Sequence, residues 1–261
     1  MYEQDNRKET VKRQFGKNAE KYVTSASHAK GSDLAMLVEW LAPRPDWVAL
    51  DVATGGGHVA GTLAPHVAHV FSTDLTPQML AQAAGHLKTK HSNIWYVVAD
   101  AEALPFLDAT FDAVTCRIAP HHFPAPERFV QEVARVLKPG GRFLMIDNVA
   151  PVDKKLALFM NKVEKMRDES HVRCLSIEEW GALFAASGLT ERRSSFRRKT
   201  YDFPVWAART ASDGQQVEKV EKLLTEAEKE IKEYFSVHMQ DGKVVSLQVD
   251  EWMVLLEKSG A

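Results

Sequence analysis

The stretch Val48-Ala49-Leu50-Asp51-Val52-Ala53-Thr54-Gly55-Gly56-Gly57-His58-Val59-Ala60 limits the possible fold more than any other part of the chain. It reads as a short buried strand, a turn of three glycines and the start of a helix. That order brings backbone N–H groups and a helix N-terminus against a nucleotide-like ligand. Glycine suits the turn because it accepts positive φ and lets a ligand approach the backbone closely. Gly55-x-Gly57-x-x-Ala60 also fits the G-x-G-x-x-G/A fingerprint. Asp51 lies inside the strand before the loop, and Asp74 closes the next apolar run.

The remaining segments alternate in the manner of an α/β chain. Helices are expected over 5–23 and 33–41, ahead of the first strand. After the glycine loop come a helix over 58–66, a strand over 68–73, and a helix opened by Thr76-Pro77, where proline's missing N–H costs little. A carboxylate just past a strand end, as at Asp74, can accept both hydrogen bonds of a ribose diol. Further strands are expected over 93–99, 111–117, 142–148, 189–199 and 251–257. Ser176 and Glu179 have the spacing of a capping box, and Asp241-Gly242 is a hairpin turn signal. Segments 153–173 and 200–240 read as cap and insertion.

Asp51-x-x-x-Gly55-x-Gly57 resembles the first motif of the class I S-adenosylmethionine-dependent methyltransferases. Two further blocks fall in the family's order, Asp100-Ala101-Glu102-Ala103-Leu104-Pro105-Phe106 and Arg135 to Phe143, which contains Lys138-Pro139-Gly140-Gly141. The resemblance covers about residues 48–148. It is closest to the ubiquinone/menaquinone-biosynthesis type and its small-molecule relatives. Asn18-Ala19-Glu20-Lys21-Tyr22 and Asp147-Asn148-Val149 depart from the quinone enzymes, so a quinone acceptor does not follow.

The resemblance implies a Rossmann-like, doubly wound α/β fold. It would hold a seven-stranded, mostly parallel sheet with an antiparallel last strand, plus helical cap elements, in one domain over 1–261. S-adenosylmethionine would be the cofactor and S-adenosylhomocysteine the product. Asp51, Ala53, Gly55, Gly57, Asp74, Leu75, Met79, Asp100, Ala101, Arg117 and Tyr22 are the expected cofactor residues, with His28 also near the site. His121 and His122 are the candidate catalytic bases, since imidazole titrates near neutral pH. Phe15, Tyr22, Phe159, Phe196, Tyr201, Phe203 and Trp206 suggest an apolar or aromatic acceptor methylated on oxygen or carbon. Two other readings share the glycine loop: a silent cofactor-binding module, and an NAD(P)-dependent oxidoreductase, which lacks a Tyr-x-x-x-Lys pair here.

Composition narrows the partners. A net charge of −2 gives no electrostatic case for nucleic acid. The basic run Arg192 to Lys199 reads as a solvated face. The two cysteines have no metal-type spacing, and no metal is expected near the histidine pair. The charged first residues lack a secretory h-region, and no apolar run approaches bilayer length. A cytoplasmic monomer or homodimer acting on a small molecule is therefore expected.

Overall fold

The computed structural model describes residues 2–24 and 32–260, with side chains over 6–17 and 33–260. Tyr22's side chain and the whole of His28 lie outside the described residues. Ahead of the sheet come α1 (Tyr2–Thr24) and α2 (Ser32–Leu41). Five strands then alternate with helices: β1 (Val48–Val52), α3 (His58–Leu63), β2 (His69–Asp74), α4 (Pro77–Leu87), β3 (Ile94–Val98), β4 (Phe111–Arg117), α5 (Pro126–Val136) and β5 (Leu137–Asn148). The C-terminal part comprises α6 (Lys154–Arg167), α7 (Ile177–Ala186), β6 (Leu189–Asp202), α8 (Phe203–Ala208), α9 (Gly214–Thr225), α10 (Lys229–Tyr234), β7 (His238–Gln240) and β8 (Lys243–Lys258).

The strands form one sheet in the order β3-β2-β1-β4-β5-β8-β6, with β7 paired to β8. β1 to β5 run parallel, and β8 is antiparallel to both its neighbours. The sheet has eight strands rather than the seven expected. The extra one is the three-residue β7, formed because Asp241 and Gly242 both take positive φ (51° and 76°) and fold the insertion into a hairpin. That hairpin also lengthens β8 well beyond the expected 251–257.

Alternation along the central strands builds two cores. Leu50, Val52, Val114, Cys116, Phe143 and Met145 face α5 and α7, meeting Phe129, Val133, Trp180 and Phe184. Ala49, Ala113, Leu144 and Ile146 face the opposite layer with Leu37, Val59 and Leu63. Each fully buried large side chain contributes about 1.5–3 kcal/mol of transfer free energy. The expected capping box forms at α7: Ser176 Oγ accepts from Glu179 N–H (3.2 Å), and Ser176 N–H donates to Glu179 Oε2 (2.8 Å). A third core joins α6, α8, α9 and α10 to the first half of β8.

The basic run lies on β6, the edge strand, and its charges are matched rather than free. Arg192 pairs with Glu257, Arg193 with Glu39, Arg197 and Lys199 with Glu251, and Arg198 with Asp250. Among the described residues, no helix is long and apolar enough to cross a membrane.

Strand order reverses between β1, which leads to β2 and β3, and β4, which leads to β5. Open α/β sheets bind their ligands beyond the carboxyl ends of the strands at such a switch point.

Candidate active site

A cavity opens at this switch point. Two residues there hold left-handed backbone, Ala53 (φ 52°) after β1 and Ile118 (φ 54°) after β4. For a β-branched residue this conformation is strained, and strain of that kind concentrates at functional sites. Gly55 (φ 56°) and Gly57 (φ 79°) complete the turn. A Cβ on Gly57 would lie 2.6 Å from Leu87 Cδ1, so that glycine serves the packing of α4 against the loop. Gly55 faces the cavity, where a Cβ would approach Met79 Cε at 3.5 Å.

Three carboxylates stand at successive strand ends. Asp51 is fully buried and accepts from Thr115 Oγ1 (2.8 Å) and Thr54 Oγ1 (2.5 Å). Burial pushes it up to about 6, only partly offset by those two hydroxyls. Asp74 accepts from Thr76 N–H at Oδ1 (2.8 Å) and from Gly55 N–H at Oδ2 (3.0 Å). Burial raises this carboxyl too, against those backbone bonds. Asp100 accepts from Glu102 N–H (2.9 Å) and from Lys8 Nζ (2.6 Å). Lys8 reaches in from α1 and also pairs with Glu102 Oε2 at 2.5 Å.

All the expected cofactor residues with described side chains line this cavity except Gly57, which sits behind it. Arg117 forms part of the wall, and Asp33 at the start of α2 holds its Nε at 2.5 Å. Burial would raise the Asp33 carboxyl, but the Arg117 guanidinium brings it below its usual range. Val11 and Phe15 of α1, together with Ile118, Ala119, Phe123 and Pro124, make an apolar wall.

The two histidines separate. His122 lines the cavity, with Phe15 edge-on to its ring at 5.0 Å. His121 is turned away from it: Asp147 accepts both its backbone N–H (2.9 Å) and Nδ1 (2.6 Å). Burial alone would lower His121, yet the adjacent Asp147 carboxylate leaves it raised. The loop after α6 packs beneath the pair, as the N–H groups of Val172 and Arg173 both donate to the His121 carbonyl (3.0 Å each).

The aromatic residues expected at the acceptor site also divide. Of those with described side chains, only Phe15 lines the cavity. Phe159, Tyr201, Phe203 and Trp206 pack in the third core, and Phe196 lies 52% exposed on the edge strand. Periodicity marks a residue as buried without saying in which of three cores. Lys8, Ser170 and Asp168 carry no motif and were not expected at the site. Among the described residues, no group of three or more His, Cys, Asp or Glu side chains is arranged to hold a metal ion.

A glycine turn at the switch point with carboxylates on three consecutive strand ends is the arrangement of a Rossmann-like α/β ligand site. Comparison with known proteins agrees. Residues 50–145 match the model of the methyltransferase domain family. The chain is 35% identical over 234 residues to the uncharacterized methyltransferase YcgJ of Bacillus subtilis (strain 168), covering 89% of this chain and 92% of the relative. A crystal structure of a candidate methyltransferase from Bacillus halodurans C-125 is 37% identical, superposes with a TM-score of 0.85, and covers 88% of this chain and 100% of its own. A ubiquinone/menaquinone biosynthesis C-methyltransferase, UbiE of Brucella anthropi, is 40% identical over 118 residues, 42% of this chain and 45% of its own. The chain belongs to the class I S-adenosylmethionine-dependent methyltransferases.

Proposed function

We propose that the protein methylates a small, apolar or aromatic acceptor on oxygen or carbon, with S-adenosylmethionine as donor and S-adenosylhomocysteine as product. One observation carries this reading: a single cavity has carboxylates and the glycine turn along one side and apolar side chains with one imidazole along the other. The donor set fits the cofactor. Asp74, pinned by two backbone N–H groups, has the chemistry for a ribose diol. Leu75, Met79 and Ala101 offer an apolar slot for an adenine ring beside Asp100. Arg117 suits the amino-acid carboxylate, and Gly55 keeps the cradle free of a Cβ.

When bound, the cofactor supplies an electrophilic methyl group on a sulfonium. The chain's own residues contribute alignment, exclusion of water and a proton acceptor. Alignment matters most, because fixing nucleophile and methyl in line removes much of the entropic cost of a bimolecular step. Val11 and Phe15 line the cavity from α1, where their apolar side chains would help to exclude water. His122, not His121, is the base, because His121 gives its Nδ1 to Asp147 and lines no part of the cavity. The chain works as one domain, with α1 and the loop after α6 completing the acceptor side.

Calorimetric titration with S-adenosylhomocysteine, NADH and NADPH tests the cofactor. Micromolar binding of the homocysteine product is expected, weakened at least 100-fold by Asp74→Ala. Binding of a nicotinamide cofactor alone would overturn the reading.

A further inference from the structure

We propose that Ser170 and Asp168, in the loop after α6, hold His122 as a neutral base with its lone pair on Nε2, facing the acceptor, and that the site therefore selects hydroxyl or carbon acceptors over amines. The inference rests on the methyl-transfer reading and adds to it two positioning residues and a rule for the nucleophile.

The tautomer follows from counting protons. Ser170 donates twice to Asp168 Oδ1, from its backbone N–H (2.8 Å) and from Oγ (2.5 Å). Burial would raise the Asp168 carboxyl, but the Arg167 guanidinium beside it and the two Ser170 donors on one oxygen favour its ionised form. Asp168 is therefore ionised and has no proton to give. The one hydroxyl proton of Ser170 is committed to it, so Oγ, 3.2 Å from His122 Nδ1, can only accept. The ring proton of His122 then sits on Nδ1, leaving the lone pair on Nε2. The ring's hydrogen bonds are with Ser170, and its residue lines the cavity. His122, Ser170 and Asp168 are all buried, so bulk water does not compete for these bonds.

The other ionisable groups facing His122 keep it neutral. His121, tilted 45° to it at 4.2 Å between ring centroids, is raised by its Asp147 partner, so of the two rings it is the one that favours the proton. His171, 6.5 Å away, is pushed down by burial and by its cationic neighbours. Burial first, and His121 second, lower His122 against the Asp168 carboxylate, which acts the other way.

Such a base discriminates between nucleophiles. As the acceptor's lone pair or π pair attacks the methyl carbon, the S–C bond breaks with its electrons remaining on sulfur. The new bond leaves the positive charge on the acceptor. A methylated oxonium, or an arene carrying both methyl and hydrogen at one carbon, is a far stronger acid than an imidazolium, and its proton passes to Nε2. An alkylammonium, with a pKa of about 10, keeps its proton. An alkylamine also arrives protonated at neutral pH, and His122 is too weak to free its lone pair.

The test uses the full chain labelled with 15N-histidine and saturated with S-adenosylhomocysteine, binding being checked by calorimetry on the same sample. Loss of that binding would indict the cofactor reading, whereas the following outcomes address the base. Long-range 1H–15N spectra at pH 7 are expected to give a neutral His122 with Nδ1 protonated. In Ser170→Ala, whose fold is checked by circular dichroism, the Nε2–H tautomer is expected to appear. A wild-type His122 that is Nε2–H or doubly protonated would overturn the proposal. Release of S-adenosylhomocysteine is then compared for matched phenols and benzylamines. Phenol turnover is expected, with kcat falling about 10–100-fold in Ser170→Ala at unchanged KM for the donor, and recovering in Ser170→Thr. Amine turnover equal to phenol turnover, or a Ser170→Ala enzyme as fast as wild type, would overturn it.

Discussion

Asp51 keeps a carboxyl group where burial disfavours its charge, which raises it from an ordinary 3.8 to about 6. The sign of the linkage is that of a raised acid: its contribution to stability is fully present below pH 4 and is lost as pH rises through 6. Above pH 6 the folded protein therefore carries an ionised carboxylate at a cost of about 1–3 kcal/mol. Asp51→Asn is expected to stabilise the ligand-free protein by about that amount at pH 7.5, and by little at pH 4, as followed by urea unfolding. The same substitution is expected to weaken binding of S-adenosylmethionine about tenfold or more, since the donor is a cation and the carboxylate faces its cavity. Wild-type affinity for the donor should likewise fall as pH drops below 6. Asp51 was legible in the sequence from its place in the motif. Its raised pKa was not, because it arises from complete burial in the packed sheet, which the Thr54 and Thr115 hydroxyls, three and sixty-four positions away, only partly offset.

Among the elements, α1 has the least visible role in the sequence and one of the larger effects on the site. Its apolar spacing predicts an amphipathic helix and nothing about where the helix rests. In the structure Lys8 reaches Asp100 and Glu102, Gln14 donates to the Thr210 carbonyl (2.7 Å), and Phe15 meets His122. α1 thus bridges the carboxylates after β3 and the cap. Glu102 is almost fully buried at its side chain, so removing Lys8 leaves that carboxylate without its neutralising charge. Lys8→Met is expected to raise hydrogen exchange of α1 amides several-fold while leaving β1, β4 and β5 protected, as measured by mass spectrometry. Equal loosening throughout would mean that the ion pair supports the whole fold rather than α1 alone. The glycine loop is the contrasting case. Its residues are adjacent in sequence, and their conformation follows from local sterics, so strand, turn and helix can all be read directly.

Across the whole molecule, the cap has its own hydrophobic core, separate from the two that flank the sheet. Trp206 is buried there under the Arg167 guanidinium (4.4 Å to the ring centroid), away from the cavity. Trp206→Ala is expected to cost about 3–5 kcal/mol in a denaturant titration. Affinity for S-adenosylhomocysteine should stay within a few-fold of wild type. A large loss of affinity at retained stability would instead return Trp206 to the acceptor wall, where the sequence pattern had suggested it.

The sequence by itself determined the αβ alternation, the switch-point loop and the carboxylates at the ends of β1, β2 and β3. Each of these depends on residues close together in the chain, where dihedral preferences and strand periodicity act directly. Only the tertiary structure decided which histidine meets the cavity, which aromatic residues line it, and which distant side chains complete it. Asp147 captures His121 from β5, while Ser170 and Asp168 engage His122 from a loop nearly fifty residues further on. Those contacts exist because β4 and β5 are neighbours and the loop after α6 folds back beneath their ends. Adjacency of that kind is a property of the packed chain, and no local pattern in the sequence encodes it.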